Sequence, residues 1–243
     1  MRSTATDVAA NQMDQLPWSR HFAELGPRFS AAVQPQAVKQ PRLLHVNAAL
    51  AEDLGIDAEL SRSGDFLAVM AGNHCVGEAY AATVYSGHQF GVYVPQLGDG
   101  RAMIIGELQD RDGRPQELQL KGSGQTPWSR FADGRAVLRS SLREYLCSEA
   151  MHGLGIPTTR ALCLINSETP VQREQWETAA LICRVSPSHI RFGHFEYFSH
   201  NNQTDALRQL VDFVIARHWP QLADAPDRLP RWLEDVLRRT ARL

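Results

Sequence analysis

The stretch 118–151, LQLKGSGQTPWSRFADGRAVLRSSLREYLCSEAM, decides how the chain is read. It opens on an alternation: Leu118 and Leu120 fall on one face of an extended segment, Gln119 and Lys121 on the other. The leucines suit a core, so the lysine faces away from it. KGSGQT (121–126) could wrap an anion or serve as a flexible connection. Asp133 then offers an N-cap for a helix running to about His152, stopped by Gly153 and Gly155 with Pro157 just beyond. Val137, Ser141, Glu144, Ser148 and Met151 share one stripe of that helix at three- and four-residue steps. The serines let the stripe approach a strand closely, and the glutamate between them could hold the lysine in place. A strand lysine paired with a helix glutamate is how kinase-like sites aim a cation at phosphate oxygens. Taken singly, Lys121 also reads as a solvated strand-end residue and Glu144 as an exposed helix carboxylate. The pair at this spacing is more informative than either residue.

Upstream, VYVPQL (92–97), AMIIGELQ (102–109) and QELQLK (116–121) are separated by GDG (98–100) and DRDGR (110–114), which predicts a three-stranded antiparallel meander. Gly98 and Gly100 in the first turn would let backbone amides approach a phosphate, and Arg101 adds charge. Asp-Gly is also an ordinary hairpin turn, Met103 stands where GxGxxG needs its third glycine, and there is no Walker A motif. Downstream, strands are expected at 160–165 and 179–185 with a loop at 167–178. Arg184, ending an apolar strand, and Arg191, in SHIRFG, are each a buried ion-pair partner or a ligand clamp. After 186–198 the period turns helical. Leu207, Leu210, Val211, Val214 and Ile215 share a face of a helix at 204–219, and Pro230 sits in the first turn of another at 230–243. Ahead of the meander, 1–40 reads as an irregular polar lead-in and 46–56 as a short helix capped by Asn47 and stopped by Gly55. Residues 61–90 are mixed, with SGHQFG (86–91) a loop. The order predicts an α+β, protein kinase-like fold: an N-lobe antiparallel sheet with one main helix, then a truncated helical C-lobe. The expected divisions are an extension at 1–84, the N-lobe at 85–185 and an incomplete C-lobe at 186–243. Element order alone says little about chemistry.

Composition sets the outer bounds. The 243 residues are 43% hydrophobic with a formal net charge of -2, so one large domain or two small ones fit, without a whole-chain bias toward nucleic acid or anionic membrane. No run approaches the ~20 apolar residues of a membrane span, and the N-terminal stretch lacks the apolar segment of a secretory signal. Cys75, Cys147, Cys163 and Cys183 form no CxxC pair, which predicts reduced, mostly buried thiols in a cytoplasmic protein rather than a zinc site.

YSGHQFGVYVPQLGDGRAMIIGE (85–107), the segment 118–162 and RVSPSHIRFGHFEYF (184–198) closely resemble the selenoprotein O family, and the likeness runs from about residue 40 to the end. The resemblance implies a pseudokinase fold that holds ATP reversed relative to ordinary kinases and transfers AMP to Ser, Thr or Tyr hydroxyls of other proteins. Carried over motif by motif, the nucleotide contacts fall on Gly98, Gly100, Arg101, Lys121, Asp133, Gly134, Arg184 and Arg191, and Glu144 matches the lysine-pairing glutamate. Trp128, where tyrosine is common, and the variable segment 167–178 are minor departures. The family's base aspartate, and the Asn and Asp that hold magnesium or manganese, are expected beyond residue 243. Asp212-Phe213-Val214 lacks the glycine of a kinase DFG and lies within a helical pattern. No catalytic or metal-ligating residue is therefore assigned within the chain. The implied partners are ATP and protein substrates, not nucleic acid or membrane. The chain reads as the N-terminal half of an adenylyltransferase whose helical end leaves an apolar stripe exposed. A catalytically inactive ATP-binding fragment or interaction module, and an ordinary phosphotransferase, stay open as alternatives.

Overall fold

Leu118 and Leu120 are fully buried, and the strand that carries them, β7 (Pro115–Lys121), lies at the centre of the main sheet of this computed structural model. Residues 11–243 are described; the first ten residues of the expected lead-in lie outside them. On one side of β7 come β6 (Ala102–Gln109), β3 (Tyr80–Thr83) and the edge strand β1 (Ser30–Val33). On the other come β10 (Trp176–Ser186), β9 (Arg160–Gln172) and the edge strand β2 (Arg42–Val46). These neighbours all pair antiparallel. A short strand, β8 (Ala136–Val137), joins β10.

The expected meander is half present. β6 and β7 pair as predicted, but the strand expected at 92–97 is the shorter β5 (Val92–Val94), which pairs outside the main sheet with β4 (Gly87–Gln89), where a loop was expected. The true neighbour of β6 is β3, from the stretch read as mixed. All four residues of β3 are buried, so it shows no alternation to mark it. Part of the supposed irregular lead-in supplies β1 and the short helix α1 (His21–Glu24). The loop expected at 167–178 is instead the far end of a long β9–β10 hairpin, in which Ser167 and Val171 point inward between outward polar residues.

The Asn47 cap holds: its Oδ1 accepts the Leu50 amide at 3.2 Å and starts α2 (Ala48–Asp53). The long helix, α4 (Leu138–Gly153), ends where expected but starts after Val137, so Asp133 caps no helix. Between them lie Gly134, at φ +70°, and β8. The C-terminal helices are α5 (Phe192–His200), which the sequence did not separate, α6 (Thr204–His218) and α7 (Arg228–Ala241).

The leucine face of β7 packs with α3 (Gly64–Met70), whose Phe66, Val69 and Met70 are fully buried. Each such side chain stabilises by about 1.5–3 kcal/mol relative to exposure. The opposite face takes α4, through Tyr145 against Ala161, Leu164 and Ile182. Phe22, Phe29, Phe198, Leu210 and Val214 form a further core around α5 and α6. Phe213 lies edge-on to Phe22 and Asp212 pairs with Arg228 at 2.5 Å, so the DFG-like triplet is ordinary helix. In α7 no residue is fully buried, and Leu229, Leu233 and Leu237 carry the exposed stripe expected there. The four cysteines are free. Cys163 and Cys183 are buried, but Cys75 is half-buried and Cys147 exposed, so burial is less general than composition suggested. No helix among the described residues is long and apolar enough to cross a membrane.

Candidate functional site

Lys121 ends β7 on the face that α4 covers, and its ammonium pairs with Glu144 Oε2 of that helix. The other carboxylate oxygen, Oε1, lies 3.4 Å from the Arg184 guanidinium. Arg184 on β10 stands directly opposite Gln119 on β7, so it also donates to Gln119 Oε1. Gln119 Nε2 donates onward to Asp99 Oδ2 at 3.4 Å, and Asp99 accepts from the Thr83 amide at 3.1 Å and the Thr83 hydroxyl at 2.5 Å. One polar chain thus joins β7, α4, β10, the 98–100 turn and β3. Burial pulls the Lys121 ammonium below the ordinary lysine range, with Glu144 pulling the other way. Burial likewise lowers Arg184 against the pull of Glu144. It pushes the Asp99 carboxyl up, with the Thr83 bonds opposing.

In front of this chain opens a cleft of about 710 Å³, within the ~300–1,000 Å³ range of small-molecule sites. Its cationic lining is Arg101, Lys121, Arg130, Arg135, Arg173 and Arg184, against the carboxylates of Asp99 and Asp133. An excess of this kind suits a polyanion, with guanidiniums for planar oxygen pairs and the ammonium as a point charge.

Of the residues singled out in the sequence, Gly98, Gly100, Arg101, Lys121, Asp133, Gly134 and Arg184 line this cleft. Glu144 sits behind Lys121 as its partner. Arg191 is exposed at the start of α5, outside the lining, with its guanidinium 5.3 Å from the ring centre of cleft-lining Tyr85.

The glycine turn differs from expectation in detail. The Gly98 amide donates to the Tyr85 carbonyl and the Gly100 amide to the Gly98 carbonyl, both at 3.0 Å, so neither is aimed at the cleft. What requires glycine is Trp128: a Cβ on Gly98 would stand 2.5 Å from its ring, and one on Gly100 2.9 Å from its carbonyl oxygen. Asp133 accepts the Arg135 amide at 2.9 Å and two bonds from Arg173, at 2.8 and 3.0 Å. Burial opposes its ionisation, but Arg173 and the Arg135 amide outweigh that and hold the carboxyl below the usual range.

Asp99, Gln119, Tyr85 and Arg173 were not singled out as site residues. Gln119 was within reach, because it alternates onto the same face as Lys121. Asp99 was not, since Asp between glycines in a turn is ordinarily exposed.

Further along the Lys121 face, Glu117 on β7 opposes Glu107 on β6, and both are buried. Glu107 pairs with Arg217 of α6 and with His21 at 3.0 Å. Glu117 accepts the His189 amide at 2.6 Å, and its other oxygen has no partner. Burial, with Glu107 adding and the His189 amide opposing, pushes its carboxyl from 4.5 to about 8. A carboxyl raised on folding favours the folded state below its unfolded value, and that contribution is lost as pH climbs toward the folded value. The contribution of Glu117 to stability should therefore fall between pH 4.5 and 8. Glu117→Gln should flatten this slope and melt above the parent at pH 8, with little difference at pH 4.5, as thermal melts across that range would record.

An antiparallel sheet that presents a lysine–glutamate pair in a cation-lined cleft defines a mixed α/β protein whose cleft has the charge to suit a polyanion. Residues 12–243 match the family described as protein adenylyltransferase SelO, and the chain belongs to that family. It is 51% identical to protein nucleotidyltransferase YdiU of Methylococcus capsulatus over 94% of this chain and 45% of the relative. Like-named proteins of Bordetella petrii and Burkholderia multivorans are 51% and 52% identical, over 97% and 99% of this chain and 49% and 46% of their own. The chain spans about half the length of these relatives.

Proposed function

We propose that the cleft binds ATP and that the protein of which this fold forms the nucleotide side is a protein adenylyltransferase, moving AMP onto Ser, Thr or Tyr hydroxyls of other proteins. The observation that carries the reading is the Lys121–Glu144–Arg184 cluster at the inner end of a cleft lined by six cations. Lys121 meets phosphate oxygens as a point charge, Glu144 aims it, and Arg184 and Arg101 spread the remaining charge. Gly98, Gly100, Asp133 and Gly134 shape the wall, and Arg191 acts through Tyr85. Division into a kinase-like N-lobe at 85–185, an extension at 1–84 and the beginning of a helical lobe at 186–243 fits this reading, with the extension lending strands to the sheet.

In the reaction, the acceptor hydroxyl oxygen attacks the α-phosphorus. A new P–O bond forms, the bond to the β-phosphate oxygen breaks, the hydroxyl proton leaves to a base, and pyrophosphate departs. With the nucleotide reversed, the inner cations face that leaving group and stabilise its charge. The family implies magnesium or manganese. Among the described residues, no cluster of three or more His, Cys, Asp or Glu could hold such an ion.

The test is label transfer by a polypeptide of the relatives' length carrying this sequence. Phosphorus label at the α position should enter acceptor proteins, and label at the γ position should not. Entry of γ label would instead make it an ordinary phosphotransferase.

A further inference from the structure

We propose that Phe90 and Phe131 form an aromatic clamp at the mouth of the cleft that receives the purine base of the bound nucleotide. The proposal rests on the nucleotide reading of the cleft and adds the residues that recognise the base.

Phe90 is 99% exposed and Phe131 93%, the two most exposed large apolar side chains among the described residues. Neither is a stray surface residue. Phe131 lines the cleft, as do Gln89, next to Phe90, and Arg130, next to Phe131. Arg130 NH2 reaches Gln89 Oε1 at 3.5 Å, which brings the β4–β5 turn against the 128–132 loop across the mouth. Both tips use the left-handed backbone without glycine, at φ +53° for Phe90 and +55° for Arg130. Their supports are firm. Tyr93 of the hairpin stacks on His200 with ring centres 4.8 Å apart, and the Ser86 amide donates to the Gly193 carbonyl at 2.9 Å. The second loop is fixed by Trp128, whose indole N–H donates to the Ala82 carbonyl at 3.2 Å.

The cleft therefore has two chemical ends. Its inner end is charged, at Lys121 and Arg184; at its mouth stands the bare ring of Phe131, with the Arg130 guanidinium 5.8 Å from its centre, and Phe90 follows lining residue Gln89 at the tip of the β4–β5 turn. A nucleoside triphosphate has the same polarity: a polyanion at one end and a flat π-surface at the other. Continuity of Phe131 and Gln89 with the cationic lining favours the base over a separate partner. Stacking on an aromatic side chain accepts any base face, and the Gln89 amide and Arg130 supply the polar edge contacts.

Calorimetric titration of the chain with ATP and, separately, with inorganic tripolyphosphate separates the two ends. Phe90→Ala/Phe131→Ala should weaken ATP about tenfold or more and leave tripolyphosphate unchanged, without moving the melting temperature, because both rings are exposed. Lys121→Ala should weaken both ligands. If the double variant binds ATP as the parent does while Lys121→Ala loses both, the clamp is wrong and the nucleotide reading stands. If the parent binds neither ligand, the nucleotide reading falls and the clamp with it. If the double substitution instead abolishes self-association or capture of a protein acceptor with ATP affinity intact, the rings belong to a protein interface and the clamp is overturned.

Discussion

Lys121→Ala should weaken ATP binding by roughly 10- to 100-fold, the range set by removing one charge-assisted hydrogen-bonding group, and should shift the melting temperature little. The asymmetry follows from the arrangement around Glu144. With the ammonium gone, the carboxylate keeps its Arg184 neighbour at 3.4 Å and no buried charge is orphaned. Glu144→Ala removes the common partner of two cations whose side chains are only 18% and 15% exposed. Breaking a largely buried pair from that side costs stability as well as affinity, because the charges left behind are unpaired. The two variants thus separate: one loses ligand, the other loses ligand and fold stability. Glu144→Gln lies between them, keeping the shape and losing the charge. Titration with ATP alongside thermal melts reads both quantities. Unchanged affinity in Lys121→Ala would overturn its proposed role as a phosphate ligand.

That pair was legible because two local rules place it. Strand alternation sets Lys121 opposite the Leu118 and Leu120 face, and helical periodicity sets Glu144 between Ser141 and Ser148. Neither rule needs the rest of the chain. What stayed hidden depends on partners far away in sequence. β3 is buried along its whole length, so its period says nothing, and only its register against β1 and β6 reveals it. The outer half of the β9–β10 hairpin alternates polar residues toward solvent, and polar residues without apolar alternation read as loop. Asp133 is an instructive miss. The sequence indicated a carboxylate accepting nearby amides, and it does accept the Arg135 amide at 2.9 Å. The same bond serves an Asx-type turn as well as a helix N-cap, so its chemistry was readable and its element was not. From sequence, the glycines at 98 and 100 offer room for backbone amides to approach a phosphate; in the structure both amides are bonded elsewhere and the body that approaches these glycines is Trp128.

Gly134→Ala should be the most damaging single methyl in the site. The residue sits at φ +70°, where an L side chain costs about 1–2 kcal/mol. The added Cβ would stand 2.1 Å from the carbonyl carbon and oxygen of Gly124 and 2.3 Å from the Gln125 nitrogen. All three are backbone atoms, so no flexible side chain can yield, and the loop itself must move, at a further ~1–3 kcal/mol of overpacking. Together that is about 2–5 kcal/mol, or very roughly 5–15 °C in melting temperature for a chain of this size. The displacement would not stay local. The Gly124 amide donates to the Gly134 carbonyl at 3.1 Å, and the flanking Asp133 and Arg135 are tied to Arg173 and to the Gln36 and Ala37 carbonyls. Shifting Gly134 therefore moves Asp133, Arg135 and Arg173 on the cleft wall, and ATP affinity should fall with stability. Gly153→Ala makes the contrast: it lies in the last turn of α4 with nothing within 4 Å of an added Cβ, and should melt at or slightly above the parent. If Gly134→Ala melts with the parent, the 133–135 loop does not press on the 122–125 turn as described. The cleft wall would then owe its shape to Arg173 and Asp133 alone.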